Sequence, residues 1–394
     1  MSLLSRNRLA VAAGLAAAVL CLAPAGGASA QKADAKIKKD NVSFRTVDGV
    51  ELKGTFWTNP DSKKNAAVLL LHNFSKQKGG SRSDEGWDAL GETLAKEGYT
   101  VLSFDFRGHG DSKGVGREFW DVRKFPHNKL ALKMGATLKD FPTEIDYKDF
   151  QTTPGSYYTY LVDDIAAAKA FLDNKAGGAA GNLIVIGAGQ GATLGAMWMA
   201  SEYRLYRDKT ENPQLNPRPN LESDPEGKDI VCGVWLTISG GLESHTVPVD
   251  SWLVEVGGKK NKVPMLFLYG ADDTKGKQNA SAALTRMMPG YKMMESSEGL
   301  NKFESSLKFT RDYAIEDGKK LDGSQLLQKS LGTTNVIKAY LDKVLEERGS
   351  KETKRHEAEK FRYYWVVNGQ LKPAKQAGEE FMMPINPASL GILR

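Results

Sequence analysis

Cysteine is almost missing from this sequence, with two in 394 residues, Cys21 and Cys232. The first falls inside an N-terminal leader, so the rest of the chain has no internal disulfide available, which excludes a disulfide framework. Cys232 lies in the apolar run Ile230-Val231-Cys232-Gly233-Val234-Trp235-Leu236 and reads as a small buried hydrophobe. Histidine is scarce as well, five in all. His72, His109, His127 and His245, taken with Asp272, show no close ligand spacing, so neither a metal nor a cofactor is predicted. There is no internal repeat and no low-complexity linker, which favours one elaborated domain over an array. Charge of one sign is only mildly in excess, at +6, and falls to +4 once Arg6 and Arg8 leave with the leader. Lysines come in short runs, Lys259-Lys260 with Lys262 and Lys319-Lys320, without interleaved aromatics. They read as solvated faces, and nucleic acid is not a predicted partner.

What is present is the composition of a soluble globular protein, 41% hydrophobic and 26% charged. At the N-terminus, Arg6 and Arg8 precede an apolar run from Leu9 to Ala23 and then Ala28-Ser29-Ala30. This is the layout of a secretory signal, so residues 1–30 are expected to be cleaved and the mature chain to begin at Gln31, exported to a periplasmic or extracellular location. The apolar core is short and alanine-rich, against the roughly 20 apolar residues that a membrane span needs, so no span is expected after cleavage. The other reading of the leader, lipidation at Cys21, meets Leu20 where a small residue is wanted.

Further along, strand-like and helix-like segments alternate, the pattern of a parallel sheet with crossover helices. Val42 to Thr46 and Leu52 to Trp57 predict two strands, with Asp48-Gly49 as the hairpin turn between them. Ala67 to His72 and Tyr99 to Phe104 are continuous apolar runs expected of strands buried on both faces. Between them Leu90 and Leu94 place a helix over Trp87 to Glu97, stopped by Gly98. Residues 114–157 lose periodicity and carry several prolines and aromatics, so they read as a cap-like insertion. Periodicity returns with a helix from Tyr160 to Asn174 and strands at Leu183 to Ile186, Val231 to Ile238, Pro264 to Tyr269 and Leu307 to Ile315. A closing helix over Asn335 to Glu347 precedes a C-terminal extension, 351–394, in which Tyr363 to Val367 before Asn368-Gly369 suggests one more strand and turn. The expected fold is α/β, a mostly parallel central sheet with helices on both faces, over residues 31–350.

Three segments, in order, resemble the α/β-hydrolase superfamily, over roughly residues 40–346. Leu69-Leu70-Leu71-His72-Asn73-Phe74 is similar to the strand and oxyanion loop, with Asn73 where the family usually has glycine. Asp105-Phe106-Arg107-Gly108-His109-Gly110-Asp111-Ser112 matches Asp-x-Arg-Gly-x-Gly-x-Ser throughout; Asp105, Arg107 and the glycines read as shaping a turn, and His109 as structural. Gly187-Ala188-Gly189-Gln190-Gly191 stands where the nucleophile elbow G-x-S-x-G would be. Its middle residue is Gly189, which has no side chain to attack with. A dinucleotide loop is the rival reading of these glycines, but Ala192 holds the place of the third one and the segment follows several strands instead of opening a βαβ unit.

The resemblance implies an acid after a later strand, and Gly270-Ala271-Asp272-Asp273 supplies Asp273 at the expected spacing. It also implies a histidine after the last strand, aligned near Asp322, or alternatively near Gly299-Leu300-Asn301, and neither segment has one. His356, the only histidine beyond Asp273, sits in a charged run and reads as a solvated helix face. The three degenerate triad positions are therefore Gly189, Asp273 and Asp322, and losing nucleophile and base together removes most of such a site's chemistry. The elbow would still aim N–H groups from a helix start, which favours anions. The expectation is a catalytically inactive protein binding a small carboxylate or ester-like ligand through Asn73, Phe74, Gly189 and Gln190, or else binding a protein partner. The alternative is an active serine-type hydrolase with relocated machinery, for which Ser75, or Ser239 with His245, are the candidates.

Overall fold

The computed structural model describes residues 36–46, 48–84, 86–122, 128, 130–131, 140–150, 157–211, 229–242, 249–259, 261–294, 310–348, 364–367 and 370–373, with backbone alone for 203–211 and the last two stretches. The chain enters through β1 (Lys38–Arg45) and β2 (Glu51–Thr58), antiparallel and paired from Arg45↔Glu51 outward. Gly49 lies between them at φ +85°, a left-handed position that glycine takes without strain. β3 (Ala67–Leu71), helix α1 (Trp87–Lys96) and β4 (Thr100–Phe104) follow. Helix α2 (Val162–Lys175) leads into β5 (Leu183–Ala188), which runs straight into helix α3 (Gly189–Glu211). β6 (Ile230–Leu236), α4 (Val249–Gly257), β7 (Met265–Gly270), α5 (Thr274–Met287), β8 (Arg311–Ile315) and α6 (Thr333–Arg348) complete the domain.

The eight strands form one sheet in the order β1-β2-β4-β3-β5-β6-β7-β8. β2 pairs antiparallel with both of its neighbours, and every other pairing is parallel. Because β3 and β5 to β8 are parallel, their C-terminal ends share one edge, and the loops leaving it are what positions the site. Strand side chains alternate between two apolar layers. Ala67, Leu69 and Leu71 pack with α2, α3, α4 and α5, whereas Val68 and Leu70 pack with Trp87, Leu90 and Leu94 of α1 and Ile337, Tyr340 and Leu341 of α6. The all-buried pattern of β3, β5, β6 and β7 is the reason their sequences read as continuous apolar runs.

Several boundaries differ from expectation. The helix expected from Tyr160 begins as a 3₁₀ turn, Tyr157–Leu161, before α2. β5 extends two residues past Ile186, and the strand expected over Leu307 to Ile315 is described only as β8, residues 301–309 lying outside the described set. Helices α4 and α5 are additional to the expected elements: α4 has nine residues, and the buried face of α5 is Gly276, Ala280, Ala283, Leu284 and Met287, mostly small side chains. Within the expected insertion, Phe119, Trp120 and Phe150 are buried in the layer that holds α2; the bridge Val50↔Val115 ties its start to the hairpin, and Gly114↔Glu144 closes it on itself. The C-terminal extension contains a separate two-stranded hairpin, β9 (Tyr364–Val367) with β10 (Gln370–Pro373). Among the described residues, no helix is long and apolar enough to cross a membrane.

Candidate functional site

The strand-to-helix turn at the end of β5 is tight enough to forbid side chains at its flanks. A Cβ on Gly187 would lie 2.7 Å from Ala192 Cα, and one on Gly191 would lie 2.6 Å from Leu71 O, so β5, α3 and the end of β3 meet backbone to backbone. The central residue, Gly189, has φ +50°. In an elbow with a side-chain nucleophile, that left-handed backbone carries strain of about 1–3 kcal/mol; glycine relieves it.

The place beside Gly189 is filled. The Asn73 side chain, from the loop after β3, accepts the Gln190 N–H on its Oδ1 at 2.9 Å. A Cβ on Gly189 would stand 2.5 Å from Asn73 Cγ and nearer still to Oδ1. The amide that was expected to face a ligand is therefore held by a carboxamide of the chain itself. Gln190 Nε2 in turn donates to Gly241 O at 3.3 Å, in the loop after β6. Phe74 is not a ligand platform here: it is buried, stacked on Tyr158 at 5.7 Å between ring centroids and edge-on to Phe106.

The other two residues expected at triad positions stand at helix starts. Asp273 is the N-cap of α5, its Oδ1 accepting the Gly276 N–H at 2.9 Å. Its Oδ2 is buried without a hydrogen-bond partner among the described residues. Asp322 opens the 3₁₀ turn Gly323–Leu327 and takes Gln325 Oε1 on its own N–H at 3.4 Å. The loop it sits in meets both neighbours, since Asp272 N–H donates to Lys319 O at 2.9 Å and a Cβ on Gly323 would lie 3.3 Å from Asn73 Nδ2. The loops after β3, β5, β7 and β8 thus come together around the Asn73 carboxamide.

The strand order with β2 alone reversed, and the glycine-flanked turn from the fifth strand into a helix, decide the architecture. This chain has the α/β-hydrolase fold. No protein-family model matches it, and no curated protein matches it. Among solved structures it is similar to an esterase from Pyrococcus furiosus at 16% identity, covering 79% of this chain and 92% of that one, with a TM-score of 0.45. A dienelactone hydrolase from Anabaena variabilis is similar at 14% identity over 78% and 95%, TM-score 0.42. A serine hydrolase without a lid from Xanthomonas campestris is similar at 12% over 78% and 95%, TM-score 0.39.

Within this hydrolase fold the Asp105–Ser112 segment is a structural turn. The buried Asp105 carboxylate accepts Arg82 N–H at 2.7 Å, Ser81 Oγ–H at 3.0 Å and Asp111 N–H at 3.0 Å, and pairs with the Arg82 guanidinium. Arg107 turns inward, where Asp164 of α2 takes its Nε at 2.7 Å and Asp48 of the hairpin turn takes its Nη1 at 2.6 Å. His109 is buried, donates from Nδ1 to Arg107 O at 2.8 Å, and lies against Phe74, Tyr147 and Phe150. His72 accepts the Phe106 N–H on Nε2 at 3.1 Å, which leaves its Nδ1–H to donate to Asn73 O at 2.8 Å. Burial pushes both imidazoles down, His72 to about 4 and His109, with His72 adding to the effect, to about 3, so both are neutral at pH 7.

The alternative nucleophiles occupy ordinary turns. Ser75 accepts Lys78 N–H on Oγ at 3.1 Å and closes a small loop through reciprocal backbone bonds with Gly79. Ser239 O accepts Thr193 Oγ–H at 3.1 Å; His245, His127 and His356, like Gly299 to Asn301, lie outside the described residues. Sequence reasoning missed Thr237, just past β6. It is β-branched yet has φ +47°, and its hydroxyl is buried without a partner among the described residues. No residue pattern announces such a conformation. The pairing of Asn73 with Gly189 did leave a signal, because these two departures from the family pattern fall on loops that the fold makes neighbours. No three His, Cys, Asp or Glu side chains gather as a metal-ligand set among the described residues.

Proposed function

We propose that this is a non-hydrolytic member of the α/β-hydrolase fold, exported from the cell, that binds a small carboxylate or ester-like molecule at the C-terminal edge of its sheet. One observation carries the reading: where a nucleophile would project, Gly189 has no side chain and the Asn73 carboxamide takes its room. The Asp273 Oδ2 supports it, since among the described residues no imidazole donates to that carboxylate. In a serine hydrolase, removing the nucleophile alone costs on the order of 10⁶ in kcat.

The purified chain should leave a fluorophosphonate probe unreacted and hydrolyse p-nitrophenyl acetate no faster than buffer. A serine labelled at any position, Ser75 and Ser239 included, would establish a relocated catalytic centre and sink this reading. Export is checked separately: N-terminal sequencing of chain recovered outside the cytoplasm should begin at Gln31, and an intact Met1 in that fraction would refute cleavage.

A further inference from the structure

The Gln190 amide, the donor a ligand oxygen would seek, already has an acceptor, and that acceptor is chemically a ligand mimic. Asn73 Oδ1 is an acyl oxygen 2.9 Å from Gln190 N. The orientation of the carboxamide follows from hydrogen-bond chemistry: an N–H donor demands the oxygen, which leaves Nδ2 on the side of Gly323. The group is held between two glycines in left-handed backbone, Gly189 at φ +50° and Gly323 at φ +52°, and a Cβ on either would press against it. Its backbone is anchored, because Asn73 O accepts His72 Nδ1–H at 2.8 Å, and a Cβ on Gly80 would lie 2.9 Å from Phe74 Cα. Only rotation of the side chain can free the amide.

We infer that Asn73 is a built-in stopper, an intramolecular acyl-oxygen mimic that must swing away before the oxygen of a carboxylate or ester can take the Gln190 N–H. This rests on the binding reading above and adds what competes for the site. It also makes the nucleophile's loss self-locking, since a serine at position 189 and the Asn73 carboxamide claim the same volume. A ligand that displaces Asn73 exchanges one hydrogen bond for another, and one net hydrogen bond is worth about tenfold in affinity.

The test follows the Gln190 backbone amide of the ¹⁵N-labelled chain by NMR during titration with acetate. Asn73→Gly should bind acetate about tenfold more tightly than the unsubstituted chain, with the Gln190 cross-peak moving along the titration. Equal affinity in the two proteins, or binding by neither, overturns the stopper. Should Asn73→Gly not fold, Asn73→Asp keeps the shape: the new carboxyl should titrate below the usual ~3.9 of an aspartate because its charge accepts Gln190 N–H at the start of α3, and an ordinary value overturns the proposal. The shared volume has its own readout. Gly189→Ser should lower Tm, and adding Asn73→Gly should raise it again; losses that simply add refute the steric claim. Serine labelling by fluorophosphonate would instead end the binding reading and leave the Asn73 contact untouched, so the two failures are separable.

Discussion

Replacing Arg107 with methionine should destabilise the protein by about 3–5 kcal/mol, the usual cost of breaking a buried ion pair from one side. Arg107 is fully buried and is gripped by two carboxylates, Asp164 through Nε at 2.7 Å and Asp48 through Nη1 at 2.6 Å and Nη2 at 3.0 Å, with Tyr157 Oη at 3.1 Å from Nη1. Burial works against its charge, and Asp164 and Asp48 more than offset that, so the guanidinium pKa is raised. Remove the cation and two carboxylates are stranded in the layer that joins the hairpin turn, the Asp105 turn and α2. Asp164 is already pushed up to about 6 by its burial, against the pull of Arg107. The variant's deficit should therefore be largest at neutral pH and shrink as the pH falls and this carboxyl takes a proton. Urea denaturation at pH 7 and pH 5 measures both effects. Adding Asp48→Asn and Asp164→Asn to Arg107→Met should recover much of the loss, since removing a whole buried ionic cluster is often close to neutral. A loss below ~1 kcal/mol for the single variant would mean that the cluster does not tie these elements together.

A steep loss of stability between pH 6.5 and 4 is the second large expectation, and its origin is the pair His72 and His109. In the unfolded chain each binds a proton near pH 6.5; in the folded chain His72 does so only at about 4 and His109 only at about 3. A depressed folded pKa contributes stability that is present above pH 6.5 and lost as the pH falls toward the folded value. Each histidine then removes up to about 1.4 kcal/mol per pH unit, or roughly 3 kcal/mol apiece by pH 4. Asp164 opposes this in part, because its raised carboxyl gains a proton in the folded state first. The structural reason for the resistance differs between the two rings. Protonating His72 breaks the bond its Nε2 accepts from Phe106 N–H, whereas His109 would have to carry charge among Phe74, Tyr147 and Phe150. His109→Phe should lower stability at pH 7, by losing the bond to Arg107 O, yet take about 1.3 kcal/mol per pH unit off the slope near pH 5, most of what Asp164 leaves of it. An unchanged slope would remove His109 from the account.

These results bear on how much of the molecule could be read from residues alone. The segment with the most specific match, Asp105 to Ser112, turned out to shape structure, as its glycines and turn-forming aspartates suggested. The grip on Arg107 was not legible: Asp48 read as half of a turn dipeptide, and Asp164 fell within an expected helix with nothing to single it out. Helices α4 and α5 were not expected, although each buries one regular face, Trp252, Leu253 and Val256 in α4 and Ala280, Ala283, Leu284 and Met287 in α5. Asp273 was singled out by its spacing after β7, but only the structure separates its capping oxygen from the one without a partner among the described residues.

By itself the sequence determined the strand order along the chain, the glycines that let β5 turn tightly into α3, and the absence of a nucleophile at position 189. Each of these is local, written in periodicity, in glycine placement or in a single residue type. The tertiary structure alone decided what stands in the nucleophile's room. Asn73 and Gln190 are 117 positions apart, and Arg107 is 59 from Asp48 and 57 from Asp164. They meet because β3 and β5 are hydrogen-bonded neighbours in the sheet and α2 packs on its face. A contact across such separations is created by strand pairing and helix packing, and no pattern within either segment encodes it.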